Sequence, residues 1–142
     1  MRGLIASCFV LALAACSREP STVQPTAPPE TKLPASAREV TVDETETLLK
    51  TKPGLLILDM RVETEWAEEG HIPGAQLTNY YRANLRERLD ALDHTKPSLV
   101  YCAIGERARL TAVIMGELGF KEIHVLKGGL NAWKAAGKAV VK

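Results

Sequence analysis

A chain of 142 residues has room for one domain and an appendage, and its 46% hydrophobic and 25% charged residues are those of an ordinary globular protein. With 18 basic and 17 acidic side chains the net charge is +1, which gives no electrostatic footing for nucleic acid. The three cysteines, Cys8, Cys16 and Cys102, form no C-x-x-C and no pair at metal-ligand spacing, so no metal site and no cofactor are expected.

Arg2 precedes an apolar run over 4–15, broken only by Ser7. The run is too short to span a bilayer and has the length of the hydrophobic part of a secretory signal. It closes in Leu13-Ala14-Ala15-Cys16. Small residues before a cysteine resemble the lipobox of bacterial lipoproteins. That resemblance implies a signal peptide over 1–15, cut ahead of Cys16, and acyl chains on Cys16, of which more than one gives durable membrane anchoring. The other reading is an ordinary cleaved signal in which Cys16 is incidental. Ser17 in place of an aspartate leans towards the outer rather than the inner membrane, with the domain facing the periplasm. Cys8 leaves with the leader, so Cys102 is the one free thiol of the mature chain and no internal disulfide is possible. An odd cysteine in an exported protein is a candidate reactive thiol.

Residues 16–37 carry Pro20, Pro25, Pro28, Pro29 and Pro34 among Ser, Thr and Gln, and read as the lipidated cysteine and an extended tether. The folding part is 38–142. Glu39-Val40 predicts a brief strand. Thr41 and Glu44 form a capping box for a helix to about residue 50, with Leu48 and Leu49 inward. After the Pro53-Gly54 turn, 55–58 is continuously apolar, as in a strand buried on both faces. A helical turn over 63–68 places Trp66 inward. Residues 76–79 suggest a short strand, and 82–92 an amphipathic helix with Leu85, Leu89 and Leu92 on one face. A second buried strand is 98–101. The helix after Cys102 aligns Leu110, Val113, Ile114 and Leu118, with Gly119 at its C′ position. A strand over 122–126 and a last helix carrying Leu130 and Trp133, stopped by Gly137, complete an α/β alternation around a mainly parallel sheet.

The chemistry concentrates in Tyr101-Cys102-Ala103-Ile104-Gly105-Glu106-Arg107. A buried strand ends in a thiol, a tight turn with one glycine follows, and a helix begins. The unpaired first amides of a helix and its dipole favour an anion, so they draw a thiol towards its nucleophilic thiolate.

The order Asp59-x-Arg61, Glu65-Trp66, Gly70-His71-Ile72-Pro73-Gly74-Ala75, Cys102-x-x-Gly105-x-Arg107, Leu118-Gly119-Phe120 and Gly128-Gly129 with Trp133 resembles a single rhodanese domain. The resemblance implies a rhodanese-like α/β fold, a five-stranded mainly parallel sheet flanked by helices. It implies a sulfurtransferase whose Cys102 takes sulfane sulfur from thiosulfate or a persulfide, stores it as a persulfide and passes it to a thiophilic acceptor. Partners are then a small sulfur donor, a thiophilic acceptor, either a small thiol or a protein, and the membrane through the anchor; the chain has no oligomer signal and is expected to be a monomer. The amides from Ala103, Ile104, Gly105, Glu106 and Arg107 are expected to surround the added sulfur. Asp59 and Arg61 are expected to support the architecture, and His71 to stabilise its turn.

Two residues depart from the family pattern: Ala103 stands where many active members carry arginine or another polar residue, and Ala108 replaces a common serine. Glu106 also puts a negative charge in the loop. That charge disfavours a small dianion such as thiosulfate unless the carboxylate points outward. Two other readings compete. A phosphatase or arsenate reductase of the same fold has a wider C-x5-R cradle, whereas four residues separate Cys102 from Arg107 here, and Tyr101 precedes the cysteine in place of histidine. A binding or redox-sensing module at the cell envelope would use the fold without turnover.

Overall fold

The computed structural model describes residues 31–142. The signal peptide over 1–15, Cys8, lipidation at Cys16 and most of the tether lie outside the described residues. No helix among the described residues is long and apolar enough to cross a membrane.

The elements follow in the order β1 (Ala37–Val40), α1 (Val42–Thr51), β2 (Leu56–Asp59), α2 (Glu63–Glu69), β3 (Gln76–Leu77), α3 (Leu85–Asp90), β4 (Ser98–Tyr101), α4 (Glu106–Glu117), β5 (Ile123–Leu126) and α5 (Gly129–Ala135). The five strands form one sheet in the order β1-β5-β4-β2-β3, every pair parallel. A parallel sheet needs crossovers that cover both faces, and the strand residues alternate accordingly. On one side Leu58, Val100, Ile123 and Val125 meet Leu85 and Leu89 of α3 and Ala108, Ala112 and Met115 of α4. On the other, Ile57, Leu99, Tyr101 and Leu126 meet Leu48 of α1 and Leu130 and Trp133 of α5.

The capping box of α1 forms as expected: the Glu44 amide donates to the Thr41 hydroxyl at 3.2 Å and the Thr41 amide to the Glu44 carboxylate at 2.8 Å. At the end of α4, Gly119 (φ +91°) lets the Phe120 amide reach the Met115 carbonyl at 3.1 Å, a Schellman closure in which both side chains are buried.

The structure corrects several expectations. The buried stripe of α4 is Ala108, Thr111, Ala112 and Met115, while Leu110 is 40% exposed and Val113 and Ile114 are only half-buried. Both stripes have helical spacing. The small one wins because two alanines let the helix backbone come close to the sheet. Helix α3 is shorter than 82–92, and β3 is two residues long. Trp66 is half-buried rather than inward; its ring stacks on His71 with centroids 3.5 Å apart. The last part of the segment read as tether lies on the domain. Leu33 packs against the α3–α4 side, Arg109 donates to the Thr31 carbonyl at 2.8 Å, and residue 37 opens β1. Leu33, Pro34 beside Gly116 and the Thr31 and Ser36 carbonyls dock a stretch whose composition is otherwise that of a linker.

Candidate active site

Cys102 follows β4, the middle strand of the five, at the C-terminal edge of the sheet. In an open parallel sheet that edge is where the connecting turns collect and where sites form. The chain leaves β4 at Tyr101, turns through 102–105 and enters α4 at Glu106. Gly105 has φ +106°, a left-handed conformation that favours glycine. This bend brings the Gly105 amide back to donate to Cys102 Sγ at 3.0 Å.

The loop is hung from the start of α5. The Leu130 amide donates to the Cys102 carbonyl at 2.8 Å and the Asn131 amide to the Ala103 carbonyl at 3.0 Å. The first amides of a helix have no partner within it, and here two of them hold the carbonyls of 102 and 103. Gly129 makes the approach possible: a Cβ there would lie 2.4 Å from the Cys102 carbonyl oxygen.

Arg107 is fixed from outside the loop. Its Nη1 and Nη2 donate to the two carboxylate oxygens of Glu65 at 2.8 and 2.7 Å. One of those oxygens also accepts the Val62 amide at 2.9 Å, capping α2. The Arg107 hydrogen bonds, ahead of the other contributions, hold the Glu65 carboxyl down at about 2, and Glu65 in turn holds Arg107 more firmly protonated. Tyr81 stands beside the pair, its ring centroid 5.9 Å from Arg107 Cζ, and is 69% exposed.

Behind this latch sits a buried ion pair. Asp59 and Arg61 are both fully buried. The Asp59 carboxylate takes Nε, Nη2 and the backbone amide of Arg61, at 2.7 to 3.1 Å. Arg61 also donates to the Gly70 carbonyl at 2.7 Å and to the Glu65 carbonyl at 3.2 Å. It therefore ties α2 to the end of β2, and α2 presents the carboxylate that holds Arg107. The phenol of Tyr101 accepts the Ile72 amide at 3.1 Å, and burial pushes its titration upward.

The residues singled out in sequence thus separate into groups. Cys102, Ala103, Ile104, Gly105, Glu106 and Arg107 form one loop. Arg61, held by Asp59, is linked to Arg107 of that loop through Glu65. Glu106 is exposed, Ile104 is 56% exposed and Ala103 is half-buried. Cys102 itself is 1% exposed, lying under the turn it anchors. Arg82 is paired with Glu63. His71 is held by backbone bonds to Val141 at 2.8 and 2.9 Å and by its stacking on Trp66. No cluster of metal-ligating side chains occurs among the described residues.

Sequence reasoning missed Glu65 and Tyr81. Glu65 stood in a quoted motif, but its spacing of three from Val62 reads only as a helix cap. Its second role, to Arg107, crosses 42 residues. Tyr81 has no local signal at all.

The described fold has counterparts among known proteins. The sequence profile of the rhodanese-like domain matches residues 41–136. Thiosulfate sulfurtransferase GlpE of Coxiella burnetii is 38% identical over 87 residues, which are 61% of this chain and 78% of that protein. A rhodanese-related protein from Thermoplasma volcanium superposes with a TM-score of 0.64 at 25% identity, over 73% of this chain and 97% of that one. The polysulfide-sulfur transferase homodimer of Wolinella succinogenes gives 0.62 at 26% identity, over 75% of this chain and 80% of that one. A cysteine closing the middle strand, a glycine amide folded onto its sulfur and a matching profile over most of the folded part lead to one conclusion: the chain belongs to the rhodanese-like domain family.

Proposed function

We propose that this protein is a rhodanese-type sulfurtransferase that carries sulfur on Cys102. The observation that supports it most directly is the Gly105 amide 3.0 Å from Sγ, at the opening of α4. A donated N–H and the field of a helix start put positive backbone charge beside the sulfur that acts as nucleophile. The thiolate attacks the outer, sulfane sulfur of the donor. A Cys102 S–S bond forms, the donor S–S bond breaks, and sulfite or a thiol leaves with the electron pair. Cys102 is left as an anionic persulfide, bedded in the same amides. A thiophilic acceptor then attacks the terminal sulfur and the thiolate returns. The leader ending in Cys16 supports a lipid-anchored location at the cell envelope, with this chemistry on the periplasmic side.

One observation favours a second reading, a binding or redox-sensing module without turnover: Cys102 is 1% exposed and so presents almost no surface to a donor. Intact mass separates the two. On the first reading, thiosulfate or a low-molecular-weight persulfide adds about 32 Da, one sulfur, to the protein. Cys102→Ser keeps the fold, by its thermal melt, and adds nothing. No adduct with any donor supports the module, and an adduct that survives Cys102→Ser refutes the assignment of the sulfur carrier.

A further inference from the structure

The mouth of the Cys102 loop offers little free positive charge to an anionic donor. The one cation between residues 103 and 107 is Arg107, and the Glu65 carboxylate takes both of its terminal nitrogens, at 2.8 and 2.7 Å. Arg82, next to Tyr81, is engaged by Glu63, and Arg61 is buried on Asp59. Lys127 is exposed and makes no ion pair among the described residues; it lies on the β5 side of the loop, where a Cβ on Gly105 would be 3.6 Å from the Leu126 carbonyl and the Gly128 amide, away from the β2 side where Glu65 and Arg107 meet. Glu106 is exposed at the first position of α4 and makes no ion pair among the described residues. Within residues 102–107 the one unpaired side-chain charge is therefore negative.

What stands out at this end is apolar. Ile104, on the loop itself, is 56% exposed, and Tyr81 is 69% exposed. Tyr81 is not a loose side chain on a wandering loop. Asn79, at φ +47°, accepts the Tyr81 amide at 3.0 Å and donates to Glu63 at 2.7 Å, so the backbone that carries the ring is tied to α2.

We propose that the sulfur donor at Cys102 is an organic persulfide of low net charge, whose carbon skeleton lies against Ile104 and Tyr81, in preference to the thiosulfate dianion. This rests on the reading of Cys102 as the sulfur carrier. The step balances as Cys–S⁻ + R–S–SH → Cys–S–S⁻ + R–SH: the outer sulfur moves to Cys102, the donor S–S bond breaks with its electron pair going to R–S⁻, and that thiolate takes the proton the outer sulfur carried.

Loading of Cys102 is followed by intact mass and by its second-order rate, using N-acetylcysteinamide persulfide and thiosulfate, each at low and high salt. The persulfide is expected to load about tenfold faster or more and to respond little to salt. The thiosulfate rate is expected to rise with salt, because screening weakens like-charge repulsion at the mouth. Ile104→Arg changes an exposed residue. It is expected to raise thiosulfate loading about tenfold and to turn its salt response downward, and Glu106→Gln is expected to raise it less. Tyr81→Ala is expected to slow the persulfide several-fold and by clearly more than it slows thiosulfate; equal slowing of both counts against a carbon skeleton seated on that ring. Thiosulfate loading as fast as the persulfide in the wild type, or a thiosulfate rate that falls with salt, overturns the proposal while leaving Cys102 as the carrier. Loading by neither donor overturns both. If Ile104→Arg does not fold, the salt response of the wild type decides alone.

Discussion

Replacing Glu65 with glutamine removes one charge and almost no volume, and it tests the latch between α2 and the Cys102 loop. In the wild type the carboxylate binds both terminal nitrogens of Arg107 and the Val62 amide. Arg107 above all holds the Glu65 carboxyl from the ordinary 4.5 down at about 2. That difference corresponds to about 3 kcal/mol if none of it is screened. A quarter of the Glu65 side chain and 18% of that of Arg107 remain in solvent. The expected loss is therefore about 1–2 kcal/mol, between the worth of an exposed pair and the cost of breaking a buried one. The folded carboxyl titrates below its unfolded value, so its stabilisation is present above pH 4.5 and is lost as the pH falls towards 2. Urea unfolding of wild type and Glu65→Gln at two pH values is the assay. The gap should be about 1–2 kcal/mol at neutral pH and less than half of that near pH 3. A gap under about 0.5 kcal/mol at neutral pH, or one that does not shrink in acid, refutes the latch.

The other predictions address the frame, the turn and the anchor. Asp59→Asn leaves the buried Arg61 guanidinium without its counter-charge and should cost about 3–5 kcal/mol, read as a fall in the urea midpoint or loss of soluble protein. Gly129→Ala forces a Cβ to 2.4 Å from the Cys102 carbonyl oxygen at φ +59°; it should destabilise by about 1–3 kcal/mol or more and slow sulfur loading, and unchanged values for both would show that α5 does not hold the loop. Cys16→Ala should move the protein from membrane pellets to the soluble fraction, and continued pelleting would contradict a lipid anchor at that residue.

Legibility in the sequence follows the range of the interaction involved. The Thr41–Glu44 box, the Gly119 stop and the continuous apolar runs of β2 and β4 are local, and each appears where its residues indicate. The choice between two helical stripes in α4 is not local. Leu110 and Ala108 are both compatible with the helix, and only the distance to the sheet selects the alanine face. Trp66 was drawn inward by hydrophobicity, but a half-buried histidine ring at 3.5 Å satisfied it at the surface. Residues 31–36 show the opposite case, in which composition says linker while Leu33, Pro34 and the Thr31 and Ser36 carbonyls find partners on the domain.

From residues alone it follows that a thiol ends a buried strand and that a glycine turn and a helix start come next, because strand burial, turn chemistry and helix capping all act over a few neighbours. The folded arrangement decided which groups surround that thiol. Glu65 meets Arg107 because β2 and β4 are neighbours in the sheet, so the turn after one strand and the helix after the other share an edge. The same long-range packing places Cys102 under its turn and leaves Ile104 and Tyr81 outside it, and no pattern within either segment encodes that contrast.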